Sequence, residues 1–452
     1  MFDKVLIPNR GEIAVRIVRS CRDLGIPSVV AYSSADRDSL AVRLADEAVC
    51  IGPGPTKRSY RNIPAVLYAC AKTGAEAVHP GYGFLSEDPM FARCCQEIGV
   101  TFIGPSADLI ALMGDKTAAR AAMRRVGVPV LPGSHGPLAS CGEAASAAAE
   151  IGYPVVLKAA AGCGGRGIAV VHEPDALARS LQATRDAAQA LFCDPRVYLE
   201  RYLPVARHIE VQVLADAYGN VIHLGERDCS VQRRAQKLVE ESPSPCLDGE
   251  LREQLCRAAV MGARSIGFVN AGTFEFLVDG DGVAYFIEMN TRLQVEHPVT
   301  ELRSGVDIVE WMIRIAAGEP LTLAQEDVRL EGHAVEVRIN TEDPSRDWAG
   351  SCGRIHGLVL PGGPGVRVDT HAFEGYVVPP YYDSLLAKII VAGPSRQSAL
   401  QRLERALREF RCEGVTTNID FHLQLIRHPD FRSGRYQLGV VESLLASSPE
   451  PP

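Results

Sequence analysis

The chain has 452 residues, 46% hydrophobic and 23% charged, with 47 basic residues against 55 acidic ones and a formal net charge of −8. That length suffices for about three domains, the composition is that of an ordinary globular protein, and the acidic balance excludes a general nucleic-acid-binding surface. No apolar run approaches the roughly 20 residues of a membrane span, and the 13 cysteines, without a Cys-x-x-Cys pair, fit reduced thiols in a cytoplasm better than disulfides or zinc.

Residues 1–115 alternate between strand and helix. We expect strands at Lys4–Pro8, Ser28–Tyr32, Ala77–Val78 and Thr101–Ile103, with helices at Gly11–Leu24, Ala65–Thr73 and Pro89–Ile98. This predicts a parallel α/β unit with no signal peptide ahead of its first strand. No dinucleotide fingerprint follows that strand, where Asn9-Arg10-Gly11-Glu12 stands instead. The turn-rich loop from His79 to Glu87 carries Tyr82 and Phe84, and such loops on rigid α/β scaffolds often bind ligands.

A helix from Lys116 to about Val126 leads into a Pro/Gly/Ser-rich boundary, Pro129–Pro137. Beyond it, strands at Pro154–Ala159 and Ile168–Val171 flank a glycine-rich loop. Gly162, Gly164 and Gly167 have the G-x-G-x-x-G spacing, but β-branched residues follow where a dinucleotide site needs a helix. A glycine loop joining two strands is instead the kind of flap that lays backbone N–H groups over a triphosphate. Val197–Leu203 reads as a strand-like run or linker, and His208–Leu214 as a half-buried strand. The charged stretches Glu226–Ser230 and Gln232–Lys237 read as a solvated loop able to supply cations to an anionic substrate. Only seven of the basic residues are lysines, and Lys116, Lys158 and Lys237 lie beside other site-like residues. A compact ammonium suits phosphate oxygens.

Two β-prone runs, Ala271–Val278 and Val283–Glu288, flank the turn Asp279-Gly280-Asp281-Gly282 and predict a hairpin. With Val278 opposite Val283, Glu275 faces Phe286 and Thr273 faces Glu288, so the two glutamates become diagonal neighbours about 7–8 Å apart. With Asn290 they make an oxygen-donor set suited to a nucleotide-bound Mg²⁺. From Glu288 to His297 polar residues alternate with apolar ones. An extended chain there would place Glu288, Asn290, Arg292, Gln294 and Glu296 along one face.

The sequences Asn9 to Ala14, His79 to Glu87, Met113 to Lys116, Gly164 to Gly167, Glu226 to Ser230, Gly272 to Phe276, Glu288 to Val299, His333 to Asn340 and Pro379 to Ser384 together resemble biotin carboxylase. The resemblance covers residues 1–446, with the motifs in family order. It implies an α/β and α+β ATP-grasp fold in five parts. These are an N-terminal Rossmann-like α/β domain (1–115), a linker helix (116–130), a mobile glycine-loop lid (131–203), a C-terminal mixed domain (204–446) and a disordered tail (447–452).

By the same resemblance, ATP falls against Lys116, Lys158, Gly164, Gly165, Glu200, Arg201, Tyr202, Leu203, His208, Glu275 and Glu288. Mg²⁺ (or Mn²⁺) falls on Glu275, Glu288 and Asn290. Bicarbonate falls on Lys237, Arg292, Gln294, Val295, Glu296 and Arg338, and biotin on Tyr82 and Arg338. Lys237, Arg292, Glu296 and Arg338 are the catalytic group, with Glu296 as the base. The implied reaction is ATP-dependent carboxylation of biotin through carboxyphosphate. The implied setting is a cytoplasmic homodimer of a biotin-dependent carboxylase, such as the acetyl-CoA carboxylase of fatty acid biosynthesis.

Two departures from the family pattern stand out. Ala235 occupies a position where the family usually has a nucleotide-contacting histidine, and Cys163 interrupts the glycine loop. No Met-Lys-Met biotinylation site is present, so we expect biotin on a separate carrier protein and a separate carboxyltransferase subunit. Two other readings compete: an ATP-grasp ligase for another carboxylate, disfavoured by the Arg292–Glu296 row and Arg338, and a nucleotide-binding regulator, for which Ala235 is the hint.

Overall fold

A computed structural model describes residues 1–161 and 167–447. The chain opens with a parallel sheet in the order β3-β2-β1-β4-β5, formed by β1 (Val5–Ile7), β2 (Ser28–Ser33), β3 (Glu47–Gly52), β4 (Ala77–Val78) and β5 (Thr101–Phe102). Its inner strands β1, β2 and β4 are buried on both faces, as apolar Val-Leu-Ile and Val-Val-Ala runs require, while the edge strands β3 and β5 are partly exposed. β3 is an element the sequence reading did not anticipate.

Residues β6 (Val155–Ala159), β7 (Ile168–Val171) and β8 (Val197–Arg201) form a three-stranded antiparallel sheet in the order β7-β6-β8. It has its own core of Val155, Leu157, Leu177, Leu181 and Leu199. β8 is a paired strand of this sheet rather than a linker. The helix Lys116–Arg125 meets this unit through the bond from Lys116 N to Ala160 O at 3.1 Å, and Asp115 caps its first turn.

The largest sheet is antiparallel and eight-stranded. It runs β13-β12-β9-β10-β11-β14 and then the strands Leu385–Gly393 and Val366–Thr370. The labelled members are β9 (Ala206–Ala215), β10 (Val221–Arg233), β11 (Gln236–Ser242), β12 (Asn270–Asp279), β13 (Ala284–Asn290) and β14 (His333–Asn340). Period-two alternation divides it into an apolar face and a charged face. Ile209, Val211, Val213, Phe274, Phe276 and Phe286 pack in one core cluster, while Glu210, Gln212 and Glu275 turn the other way.

Three expectations are corrected here. The Glu226–Ser230 segment is not a solvated loop, because it lies inside β10 and every residue of it is buried. The hairpin register is also different. Val278 pairs with Ala284 and Phe276 with Phe286, and a bulge at Ile287 then sets Glu275 directly opposite Glu288 and Thr273 opposite Asn290. The extra residue lets Phe286 and Met289 both enter the core, where a strict alternation would have sent Met289 away from Phe286. Finally, β13 ends at Asn290, residues 291–296 are irregular, and Glu296 sits at the N-terminus of the helix His297–Ser304. The polar row is therefore a folded loop and not an extended edge.

β10 and β11 are joined by Arg234-Ala235, with Arg233 paired to Gln236 and positive φ at both turn residues (49° and 63°). That is the backbone of a type I′ turn, which favours glycine or asparagine. Ala235→Gly should therefore stabilise the protein by about 1 kcal/mol, read as a higher urea midpoint. A second expectation concerns Glu241, which accepts from Arg396, His333 and the Tyr436 hydroxyl. Burial pushes this carboxyl up, but His333 and Arg396 outweigh it and hold it at about 2. Its stabilisation is complete above the ordinary value of 4.5 and is lost as pH falls towards 2. Glu241→Gln should flatten that limb of the acid-denaturation curve, which is worth about 3 kcal/mol.

Candidate active site

The charged face of the large sheet, the loop 291–296 and the helix His297–Ser304 enclose a network of buried ions. At its centre the Lys237 ammonium lies 2.7 Å from Glu296 Oε1 and 3.1 Å from Glu275 Oε1, and it also pairs with Glu210 Oε1. Burial opposes the charge on Lys237, but these three carboxylates outweigh it and hold its pKa well above the usual value. His208 Nε2 stands 3.0 Å from Glu275 Oε2 and 3.1 Å from Glu210 Oε1. Burial pulls this imidazole down, yet Glu275 and Glu210 raise it to about 9, so it is an imidazolium at neutral pH. Burial works against ionised Glu275 too, and Lys237 and His208 still keep it well below the ordinary carboxylate range.

Arg227, fully buried, locks the floor of the site. It donates to Gln212 Oε1 at 2.9 Å, Thr300 Oγ1 at 3.0 Å, Glu210 Oε2 at 3.1 Å and Thr273 Oγ1 at 3.2 Å, and also to Gln294 Oε1. The amide groups of Gln294 and Asn290 donate to Glu275 Oε1 at 2.8 and 2.7 Å. Arg292 donates to Asn290 Oδ1 at 2.8 Å and to Glu87 Oε2 at 2.9 Å. Arg338, on β14, donates to Glu296 Oε2 at 2.9 Å and to Glu240 Oε1 at 2.6 Å. Glu296 is thus clasped between Lys237 and Arg338. Burial raises its pKa, these cations lower it further, and the net direction is down.

Beside this centre, Lys116 pairs with Glu288. Lys158 lies 2.6 Å from Glu200 Oε2, and Arg120 pairs with the other oxygen of that carboxylate. Arg201, Tyr202 and Leu203 continue from β8, with Arg201 N bonded to Pro132 O at 2.8 Å and Tyr202 N to Pro154 O at 3.1 Å. Gly164, Gly165 and Cys163 lie outside the described residues. The Tyr82 hydroxyl donates to Glu12 Oε1, and the charge of Arg338 acts on it. Ala235 is exposed at its turn.

Glu275 and Glu288, directly opposed across β12 and β13, with Asn290 Oδ1 two pairs further on, present hard oxygen donors, and these residues fit a Mg²⁺ ion. Among the described residues, His208, Glu210 and Glu275 also converge closely enough to share an ion. Sequence reasoning missed Glu210, Arg227, Glu87 and Glu240. Glu210 follows His208 by two residues on one strand and so was legible as its neighbour on the same face. Arg227 was hidden because a run of charges resembles a loop.

An eight-stranded antiparallel sheet carrying carboxylate pairs, flanked by a small three-stranded unit and a parallel α/β domain, defines an ATP-grasp ligase. Three family models match in succession. These are the N-terminal domain of biotin carboxylase over residues 1–110, the ATP-binding domain of the carbamoyl-phosphate synthase L chain over 115–324, and the C-terminal domain of biotin carboxylase over 336–443. The chain is 53% identical to biotin carboxylase 1 of Bacillus subtilis over 444 residues, covering 98% of this chain and 99% of that protein. The biotin carboxylase domain dimer of Hydrogenobacter thermophilus 2-oxoglutarate carboxylase, solved with MgADP, ADP and bicarbonate, matches with a TM-score of 0.96. The two are 48% identical, over 99% of this chain and 100% of that one. A biotin carboxylase–β,γ-ATP complex from Campylobacter jejuni also reaches 0.96, at 46% identity over 98% and 99% of the two chains. The chain belongs to the biotin carboxylase family.

Because Lys237 compensates three buried carboxylates, Lys237→Met should cost about 3–5 kcal/mol. The loss would appear as a lowered urea midpoint of the nucleotide-free protein.

Proposed function

We propose that this chain carboxylates biotin held on a separate carrier protein, using ATP and bicarbonate, as the first half-reaction of a biotin-dependent carboxylase. The observation that carries the reading is Glu296 held between Lys237 and Arg338, next to the opposed pair Glu275 and Glu288. A base flanked by two cations beside a divalent-metal donor set fits an anionic, proton-bearing nucleophile attacking a metal-bound triphosphate.

Bicarbonate is a weak nucleophile, and its attack on the γ-phosphorus repels unless charge is neutralised and geometry is imposed. Lys116 and Lys158 lie where they can meet phosphate oxygens once they leave Glu288 and Glu200. Mg²⁺, when bound on Glu275, Glu288 and Asn290, would screen the phosphates. Arg292, Gln294 and the Val295 backbone orient bicarbonate against Lys237. An anion placed there competes with Glu296 for Lys237 and Arg338, so it removes the charges that depress the base. Glu296 then takes the bicarbonate proton as the carbon–oxygen–phosphorus bond forms and ADP leaves. The carboxyphosphate so made splits into CO₂ and phosphate. Phosphate accepts the ureido N–H proton, the nitrogen bonds to CO₂, and Arg338 stabilises the enolate-like ureido oxygen.

Biotin carboxyl carrier protein and carboxyltransferase partners, a homodimer, a cytoplasmic location and a role in fatty acid synthesis belong to the same proposal. The chain's net charge of −8 and the absence of any described helix able to cross a membrane agree with it. The test is bicarbonate-dependent ATP cleavage stimulated by biotin. Glu296→Gln should lower that rate by about 10²–10⁴-fold, the range for a general base, while nucleotide binding measured by calorimetry is retained. Undiminished turnover in this variant would overturn the assignment of the base.

A further inference from the structure

Loop 291–296 has no regular secondary structure, so its shape depends on side chains that reach it from elsewhere. One such side chain is Lys388, from the strand Leu385–Gly393, which is 0% exposed. Its ammonium donates to Val295 O at 2.6 Å. That carbonyl belongs to the peptide joining Val295 to Glu296, so Lys388 fixes the backbone entry to the base. The same ammonium lies 3.1 Å from Glu12 Oε1, itself buried in the first turn of the helix Gly11–Asp23. The oxygen Glu12 Oε1 also accepts the Tyr82 hydroxyl. A continuous path therefore runs from the Val295 carbonyl through Lys388 and Glu12 to Tyr82, across four parts of the chain far apart in sequence.

A buried ion pair is a costly way to fill a core, because both charges lose their water and an apolar pair of similar volume serves stability as well. Two other acids act on Lys388: Asp369, which Arg367 already clamps with bonds of 2.8 Å, and Glu336, which makes no ion pair with it within 4 Å and whose carboxyl is pushed well above the ordinary range by burial. The second oxygen of Glu12 is buried without a hydrogen-bond partner. Lys388 and Glu12 are thus matched to each other and to two loop groups, one at each end of the path.

We propose that Lys388 and Glu12 are positioning residues that hold the bicarbonate loop and the Tyr82 loop in one shared register. This rests on the reading of Val295–Glu296 as the bicarbonate side and Tyr82 as the biotin side. Removing Lys388 loosens both subsites, removing Glu12 loosens chiefly the Tyr82 side, and either change leaves the nucleotide side, built on Lys116, Lys158 and Glu200, unaffected.

The test measures KM for ATP, bicarbonate and free biotin in full-length Lys388→Met and Glu12→Gln proteins. Lys388→Met should raise KM for bicarbonate and for biotin at least fivefold, with KM for ATP within twofold. Glu12→Gln should raise KM for biotin by a similar factor and KM for bicarbonate less, because the Lys388 bond to Val295 survives. If Lys388→Met does not fold, the double variant Glu12→Gln/Lys388→Met, which removes both buried charges, carries the same expectation. Unchanged KM values for bicarbonate and biotin, or a rise in all three KM values by one factor, would overturn the positioning role. A wild-type protein without bicarbonate-dependent ATP cleavage would instead sink the underlying reading of the site.

Discussion

Three carboxylates from two different strands and a loop converge on one ammonium, that of Lys237, and much of the architecture exists to make this tolerable. Glu210 comes from β9, Glu275 from β12 and Glu296 from the loop after β13. Without cations among them, these acids would repel one another and take up protons on burial. His208 and Arg227 complete the compensation, and Arg227 also ties the floor to Thr273, Gln294 and Thr300. Around Lys237 the charged face of the sheet is therefore a layer of paired ions laid directly on an apolar one. Its members are preorganised by each other and need little rearrangement to receive anionic substrates.

The ion pairs also describe how the resting site stores its reactivity. Lys116 on Glu288, Lys158 on Glu200, and Lys237 with Arg338 on Glu296 each neutralise a group that the proposed reaction would need in another pairing. Triphosphate, metal and bicarbonate would exchange one set of partners for another of similar strength. Such an exchange costs less than creating charges in a dry cavity.

Much of this was legible in the amino-acid order. The alternation of His208 to Leu214 and the β-prone run Ala271 to Val278 marked strands, and both are strands, although the first is buried throughout and not half-buried. The Asp-Gly-Asp-Gly turn marked the hairpin, and the scarcity of lysine drew attention to Lys116, Lys158 and Lys237. What could not be read was anything set by a departure from periodicity. The bulge at Ile287 shifts the register by one residue, and no turn signal announces it. The loop 291–296 kept a strand-like alternation although it is not a strand, because its polar groups are gathered by partners from β10, β11, β12 and β14. Arg227 and Glu226 looked like solvent-facing charge, since burial of ions depends on partners distant in sequence. Lys388 carried the same compositional signal as the other lysines, but only the fold shows that its neighbour is a loop carbonyl.

The extra residue at Ile287 also limits how this region can evolve. It keeps Phe286 and Met289 both inside the apolar layer while turning Glu288 out of it. Losing or gaining a single codon here would exchange the sides on which every later residue of β13 projects, driving a carboxylate among phenylalanine rings and an aliphatic thioether into the ionic layer. Substitutions can accumulate along this strand one at a time, but its length cannot drift. The hairpin should therefore be inherited as a block of constant size, however freely the surface around it changes.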